Sequence, residues 1–413
     1  MKKIIKSFTA LMTAVSVAVL SLCTAVSYLT PSEFTVNPES GLKFNCNFPI
    51  SIRYDSETIT ADTTGKIPED SSATIMLFDS VPVKNVNIKY SERKYVTPCG
   101  TPFGIKIYTD GLVVVQTTEI QTESGTENPS EKAGIQCGDI ITEVNGVKLT
   151  TNEQLLECVE KSNGKAIKIN GERNGKTYST SITPVFDKNK KEYRIGLGIK
   201  DSCAGIGTLT FIDKSTDTFA GLGHGICDSE SGQLMPLLNG DTVKANISSI
   251  RKSCCGSPGS LCGYFADENS FGTLVSNSEY GVYGNIISYD NIDETESIPV
   301  AFRQEVVRGK AQILTTIDGE GPKYYDIEIE SISYNNVNSS KNMIIKITDE
   351  ELIEKTGGIV QGMSGSPIIQ NGMLVGAVTH VFVNDPTHGY AIFSENMISF
   401  NNSIVQSSTD LVS

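Results

Sequence analysis

From about residue 187 to the last twenty residues, the apolar positions of this chain fall in short runs, each cut by Gly, Asn-Gly or Asp-Gly. TFAGLG, LLNGD, TTIDGEG and PIIQNGMLVGAV show the pattern. An amphipathic helix needs apolar residues that recur three and four positions apart over several turns, whereas runs of this kind suit strands joined by tight turns. Residues 187–413 are therefore predicted to form an all-β barrel or a sandwich pair, and the chain as a whole to be mainly β.

The 413 residues allow two or three domains with cores of their own. Lys2, Lys3 and Lys6 precede an uncharged run from Ser7 to Leu29, closed by Thr30-Pro31. The run is long enough to cross a bilayer as a helix with the lysines on the cytoplasmic side. Small residues such as Ala25 and Ser27 equally suit a long signal peptide. Residues 1–29 are thus read as a signal peptide or a membrane anchor, and either reading exports the chain beyond residue 30. Residues 30–97 alternate apolar and polar positions in short runs such as ATIMLF and VPVKNVNIKY, which predicts a small β-rich segment or structured linker.

A net charge of −14 with scattered Lys and Arg excludes an electrostatic grip on nucleic acid, which needs a clustered basic face. Among the ten cysteines, Cys254, Cys255 and Cys262 show no CxxC spacing and no nearby histidine, so neither a metal site nor a cofactor is expected.

Residues 98–186 carry a different texture. GIKIYTDGLVVVQT reads as two strands around an Asp110-Gly111 turn. AGIQCGDIITEVNGVKLTT comes next, with a strand and an Asn145-Gly146 turn, and then TNEQLLECVEKSNG, a helix with Leu155, Leu156 and Val159 on one face and a capping-box pattern at Thr151 and Gln154. AGIQCGDIITEVNG resembles the most recognisable stretch of PDZ domains, especially those attached to bacterial proteases. The resemblance implies an α+β module in which a peptide adds as a strand beside the sheet and its terminal carboxylate meets backbone N–H groups in a short loop. PFGI, containing Phe103, Gly104 and Ile105, is where that loop is expected, with glycine admitting a close backbone approach.

GIVQGMSGSPIIQNG, Gly358 to Gly372, places Ser364 in a Gly-x-Ser-Gly-x-Pro motif. The α/β-hydrolase elbow needs Gly-x-Ser-x-Gly between a strand and a helix, but here position 366 is serine and strands come after it. The motif instead resembles the nucleophile loop of chymotrypsin-like proteases, which implies oxyanion donors at the amides of Gly362 and Ser364. A serine hydroxyl needs a base, and there are three histidines. His224, in AGLGHGICD at the end of a strand-like run, precedes the serine as the base does in those enzymes; His380 and His388 lie beyond it.

Together GLGHGICD, KITDEELIEKTGGIVQGMSGSPIIQNG and VGAVTHVFVNDPTHGYAIF resemble the stage IV sporulation protein B peptidases of endospore-forming bacteria, as does the layout of membrane segment, PDZ domain and serine peptidase domain. That resemblance implies a chymotrypsin-like fold over residues 187–413 and an exported serine endopeptidase at the forespore membrane, its catalytic part on the outer side. Its substrate would be a protein, a membrane-bound regulator of an intramembrane protease, whose cleavage releases a late sigma factor; self-association through the PDZ domain is a further partner to expect. The resemblance also points to Asp349 as the triad acid, although Asp349 heads DEELIEK and equally fits a helix N-cap. Asp385, in Asn-Asp-Pro, is the other contender, more naturally a turn. By the same analogy His380 borders the pocket for the residue before the cut. The competing reading is a non-catalytic PDZ scaffold that binds protein termini, and the sequence leaves open whether the enzyme cuts itself.

Overall fold

The computed structural model describes residues 2–37, 48–54, 57–59, 71–289, 296–336 and 339–410. It is built mainly of strands. The first helix, Lys2–Leu29, contains the one span among the described residues that is long and apolar enough to cross a membrane, Ile4–Leu29. Its end is tied down: Val26 is buried with Phe34, Ile75 and Ile88 against a five-stranded sheet that includes Glu33–Val36 and Val81–Tyr90. This sheet docks on the last part of the chain. Gln304 donates 2.5 Å to the Thr35 carbonyl, and Arg93 pairs with Glu305 at 2.7 Å.

Two closed barrels of six strands come next. In the first, Pro102–Thr117 pairs with Leu237–Arg251, and the ring continues through Ser260–Ser278, Gly281–Ile286, Thr218–Gly221 and Leu197–Asp213. Leu197–Asp213 then pairs back onto Pro102–Thr117, which closes it. Alternate residues point inward, so Phe103, Phe219 and Phe271 meet in the middle, the first two edge to face at 6.3 Å. In the second, Gly309–Thr315, Lys323–Ile332, Met343–Ile347, His388–Phe393, Met373–Val381 and Pro367–Gln370 close around Ile313, Ile327, Ile345 and Val378. Cys23, Cys137, Cys158, Cys203, Cys227, Cys254, Cys255 and Cys262 are free thiols.

The PDZ part does not precede the first barrel as a separate bead. It grows out of it. Pro102–Thr117 and Leu197–Asp213 run side by side from Pro102↔Thr208 in the barrel to Thr117↔Leu197 in the PDZ sheet. Between them lie Ile140–Val144, Ile167–Arg173, Lys176–Ile182 and the helix Asn152–Lys161. Their core holds Leu112, Ile141, Val144, Leu155, Val159 and Ile169. The Asn145-Gly146 turn forms, with both residues at positive φ, and the Gln154 side chain accepts from the Thr151 amide at 3.2 Å. Leu156 does not share the buried face: one residue on from Leu155, about 100° round the helix, it stays 58% exposed.

Two expectations are corrected here. Asp110-Gly111 is no hairpin turn but a bulge inside one continuous strand. On the side of Leu197–Asp213, Thr109–Leu112 stand opposite Asp201 alone, and Gly111 takes φ +100° at the point where the strand passes from barrel to PDZ sheet. Tertiary pairing on both sides overrides the local turn signal. PFGI, in consequence, is not a carboxylate-binding loop. Phe103, Gly104 and Ile105 are buried in the barrel strand, bracketed by Gly207, Ile206 and Gly205 on one side and Lys244, Val243 and Thr242 on the other. A Cβ on Gly104 would lie 2.5 Å from the half-buried Phe265 ring, so this glycine makes room for a neighbouring side chain rather than for a ligand.

Candidate active site

The site lies where the barrels meet. In the first barrel, the chain turns sharply after Thr218–Gly221 through Leu222 and Gly223, both at left-handed φ, and delivers His224. Leu222 tolerates that conformation because its side chain is buried and its amide donates to the Thr208 carbonyl at 3.2 Å. The loop beyond His224 is clamped by Asn277, whose side chain accepts from the Ile226 amide and donates to the Ile226 and Met235 carbonyls at 2.8–2.9 Å.

In the second barrel, helix Glu350–Thr356 ends at Gly357, and Gly358–Gly365 crosses to the strand Pro367–Gln370 carrying Ser364. Thr208, on the strand that comes down from the PDZ part, holds this crossing. Its amide donates to the Ser364 carbonyl at 3.0 Å and its hydroxyl to the Gly362 carbonyl at 2.7 Å. Gly365 must be glycine: a Cβ there would strike the Thr208 carbonyl, lie 2.5 Å from the Leu222 nitrogen and force the barrels apart. Gly362 sits at φ +101°, which turns its amide off the chain direction. Neither that amide nor the Ser364 amide donates to a protein acceptor among the described residues, whereas the intervening Met363 amide is used on the Val360 carbonyl. Two free amides beside a serine can receive a developing oxyanion.

The Ser364 hydroxyl donates to the Thr379 carbonyl at 2.7 Å. The next residue, His380, packs its ring on that of His224, with centroids 4.9 Å apart and planes at 38°. Serine, His224 and His380 are therefore brought together across the barrel interface. His224 Nδ1 lies 2.9 Å from the Gly225 carbonyl; with the proton on Nδ1, Nε2 is left as the basic nitrogen. Burial pushes the His224 imidazole below the ordinary histidine value, the Gly225 bond opposing it, so the ring is neutral near neutral pH.

The proposed acids are not brought in. Asp349 caps helix Glu350–Thr356, one carboxylate oxygen accepting from Leu352 N at 3.0 Å and the other from Asp326 N at 3.3 Å, and among the described residues it makes no bond to His224. Asp385 accepts from Thr387 and pairs with His388 at 2.7 Å. Among the described residues no group of three or more His, Cys, Asp or Glu stands close enough to hold a metal ion. Thr208, Thr379 and Asn277 were not singled out by the sequence; each reads there as an ordinary strand residue.

Two antiparallel barrels with a histidine turn on one and a glycine-framed serine on the other define a serine peptidase, here with a PDZ module inserted in its first barrel. A family model described as SpoIVB peptidase S55 matches residues 191–398, half of the chain, and a PDZ domain model matches residues 122–171. The chain belongs to the SpoIVB peptidase S55 family.

Among curated proteins it is similar to the zinc metalloprotease RasP of Shouchella clausii (strain KSM-K16), 32% identical over 27% of this chain and 30% of that one. It is also similar to the putative zinc metalloprotease LL2128 of Lactococcus lactis subsp. lactis (strain IL1403), 30% identical over 38% of each. The chain thus spans about a third of the length of these curated relatives. Similar solved structures include the Rv3671c protease from M. tuberculosis in its active form, at 16% identity, 49% of this chain, 74% of that chain and TM-score 0.30. Another is the HtrA-type protease AlgW with a decapeptide, at 12% identity, 50% and 55% coverage and TM-score 0.30. The PDZ domain of the SdrC-like protein Lmo2051 from Listeria monocytogenes is 23% identical over 22% of this chain and 90% of that one, with TM-score 0.18.

Proposed function

We propose that this serine peptidase is an endopeptidase held at the outer face of the forespore membrane, where it cleaves a membrane-bound regulator of an intramembrane protease and so triggers activation of a late sigma factor. Ser364 is the nucleophile and His224 its base. Ser364 Oγ gives its proton to His224 Nε2 as it bonds to the scissile carbonyl carbon, the amides of Gly362 and Ser364 take the oxyanion, and His224 returns the proton to the leaving amine. The observation that carries the chemistry is that Thr379-His380 of the second barrel touches both residues, the Thr379 carbonyl accepting from the Ser364 hydroxyl and the His380 ring packing on that of His224 across the barrel interface. Family membership supports the sporulation setting. The apolar helix Lys2–Leu29, continuous with a sheet docked on the catalytic body, supports a tethered enzyme.

With PFGI committed to the barrel, the peptide edge of the PDZ part is assigned elsewhere. Leu197–Asp213 pairs with Pro102–Thr117 on one side, and no strand pairs with its other side over residues 197–206 among the described residues. The helix Asn152–Lys161 stands beside that open stretch, its Asn152 amide bonded to Asp201 at 3.0 Å. A chain end of the substrate, or of a second copy, would add as a strand there.

The test is full-length protein in vesicles, incubated with membranes from sporulating cells, with fragments identified by mass spectrometry and a fluorophosphonate probe run in parallel. Labelling at Ser364 and cleavage of a membrane protein, both absent in Ser364→Ala, are expected. Intact folding without labelling or cleavage would leave a non-catalytic scaffold instead.

A further inference from the structure

The loop that leads to Ser364 and the strands that follow it are almost without charge. From Gly357 to Asn384 the chain has no Asp, Glu, Lys or Arg, and His380 is its one ionisable side chain. This stretch supplies both flanks of the reacting serine. The Ser364 hydroxyl lies 2.7 Å from the Thr379 carbonyl, so the substrate residue whose carbonyl Ser364 attacks lies against residues 379–381. Its side chain enters between that strand and residues 359–361 of the loop. Ile359 forms the floor of this space. Gly389 pairs with Val381, and a Cβ there would lie 2.5 Å from the His380 carbonyl oxygen and 2.6 Å from Ile359 Cδ1. The Ile359 side chain therefore fills the room that the glycine leaves beneath His380. Ile359 is 2% exposed, and its backbone is fixed on both sides: its amide donates to the Pro386 carbonyl at 2.7 Å, and its carbonyl accepts from the Ser253 hydroxyl at 2.9 Å. The Gln361 amide donates to the Gly259 carbonyl at 2.9 Å, and the Gln361 carbonyl accepts from the Leu261 amide at 2.8 Å, so the loop is braced by the first barrel.

We propose that Ile359 sets the substrate preference of the peptidase by closing the pocket for the residue before the cut to all but a short, uncharged side chain, alanine or valine. This rests on Ser364 being the nucleophile. A lysine, arginine, aspartate or glutamate would enter between flanks that hold no counter-charge, and burying an unpaired charge is costly. His380 does not supply one for an acidic residue, because burial, with His224 and Lys341 adding to it, lowers its pKa to about 4. Leucine or phenylalanine meets Ile359 before it is fully seated. One surplus methylene in a braced apolar pocket is worth about 10- to 200-fold in discrimination.

The experiment uses full-length protein in nanodiscs with a proteome-derived peptide library, cleavage sites being read by mass spectrometry, and then kcat/KM on synthetic peptides that differ only in the residue before the cut. For wild type, alanine or valine is expected to exceed leucine, phenylalanine, lysine and aspartate by at least about 10-fold. Ile359→Ala removes three carbons from the floor and should raise the phenylalanine-to-alanine ratio at least about 10-fold. Ile359→Val, which removes only Cδ1, should move the ratio the same way by less. A ratio taken within one variant cancels any loss of folded protein, and the wild-type profile needs no variant at all. A wild-type profile that is flat or led by a larger or charged residue overturns the proposal, as does a ratio that Ile359→Ala leaves unmoved. Fluorophosphonate labelling run in parallel separates the two readings. Labelling confined to Ser364 beside such a profile removes this inference alone, whereas labelling that survives Ser364→Ala removes the nucleophile and the pocket with it.

Discussion

Lys200 sets its ammonium 2.6 Å from the carboxylate of Asp228, four residues past His224, and so ties the strand leaving the PDZ part to the loop that carries the base. Asp228 is 5% exposed and also accepts from the amides of Glu230 and Ser231. Burial alone would raise its pKa; Lys200 and the Ser231 and Glu230 bonds outweigh that and hold it at about 2. One residue on, Asp201 bonds the first amide of the PDZ helix. The same strand therefore touches the helix beside the open edge, the base loop and, at Thr208, the nucleophile loop.

Lys200→Met should leave Asp228 buried without its cation and free the loop after His224. A stability loss of about 1–3 kcal/mol near neutral pH and a fall in kcat of roughly 3- to 10-fold are expected. The pH dependence has a definite sign. A carboxylate whose folded pKa is depressed contributes stability that is present above its unfolded value near 4 and lost as pH falls toward about 2. Denaturant melts of wild type between pH 5 and 2 should thus steepen relative to Lys200→Met, whose curve is flatter over that interval. Parallel curves would mean that the pair is not coupled to folding.

Ser364→Ala and His224→Ala should each remove at least about 10³-fold of the rate, and the double variant little more, because nucleophile and base act as a unit. Neither change empties core volume: both residues are only half-buried. Circular dichroism should match wild type, and single-turnover cleavage should show the loss. Near-full activity in either purified variant is the result that removes the assignment.

How far these features can be read from sequence depends on how local their causes are. The Asn145-Gly146 turn and the Gln154 cap are decided within four residues, and both appear where local chemistry puts them. Asp349 carried two signals, a family resemblance and a helix-cap pattern, and the carboxylate is spent on the cap. Asp110-Gly111 failed for the opposite reason: strands more than eighty residues downstream pair across it, and local turn preference is small against a closed barrel. That misreading also displaced PFGI from barrel to ligand loop. The contact between His224 and His380 joins residues from different barrels, so no periodicity or motif spacing reports it.

The cap at Asp349 makes a separate prediction. Asparagine caps about as well as aspartate, so Asp349→Asn should change kcat less than about 3-fold, whereas Asp349→Ala should cost about 1 kcal/mol of stability. Steady-state kinetics and urea melts on the two variants separate this from a triad role, in which Asp349→Asn would lose orders of magnitude of kcat while the melt stayed unchanged.

Thr208 is the residue at which the two barrels exchange their most consequential bonds. It is 1% exposed, its hydroxyl donates to the Gly362 carbonyl, and its amide donates to the Ser364 carbonyl. Thr208→Val has nearly the same shape and keeps the amide, so the change isolates the hydroxyl. The Gly362 carbonyl loses its partner in a buried place, at a cost of about 1–3 kcal/mol. The peptide unit bearing that carbonyl can then rotate, and the oxyanion donors on either side of Met363 no longer converge on one point. Since those donors act mainly on the transition state, kcat should fall about 10-fold or more while KM moves little. Thr208→Ser, which keeps the hydroxyl and loses a methyl group, should retain most of the rate. If Thr208→Val and Thr208→Ser lose kcat equally, packing rather than the hydrogen bond holds the nucleophile loop.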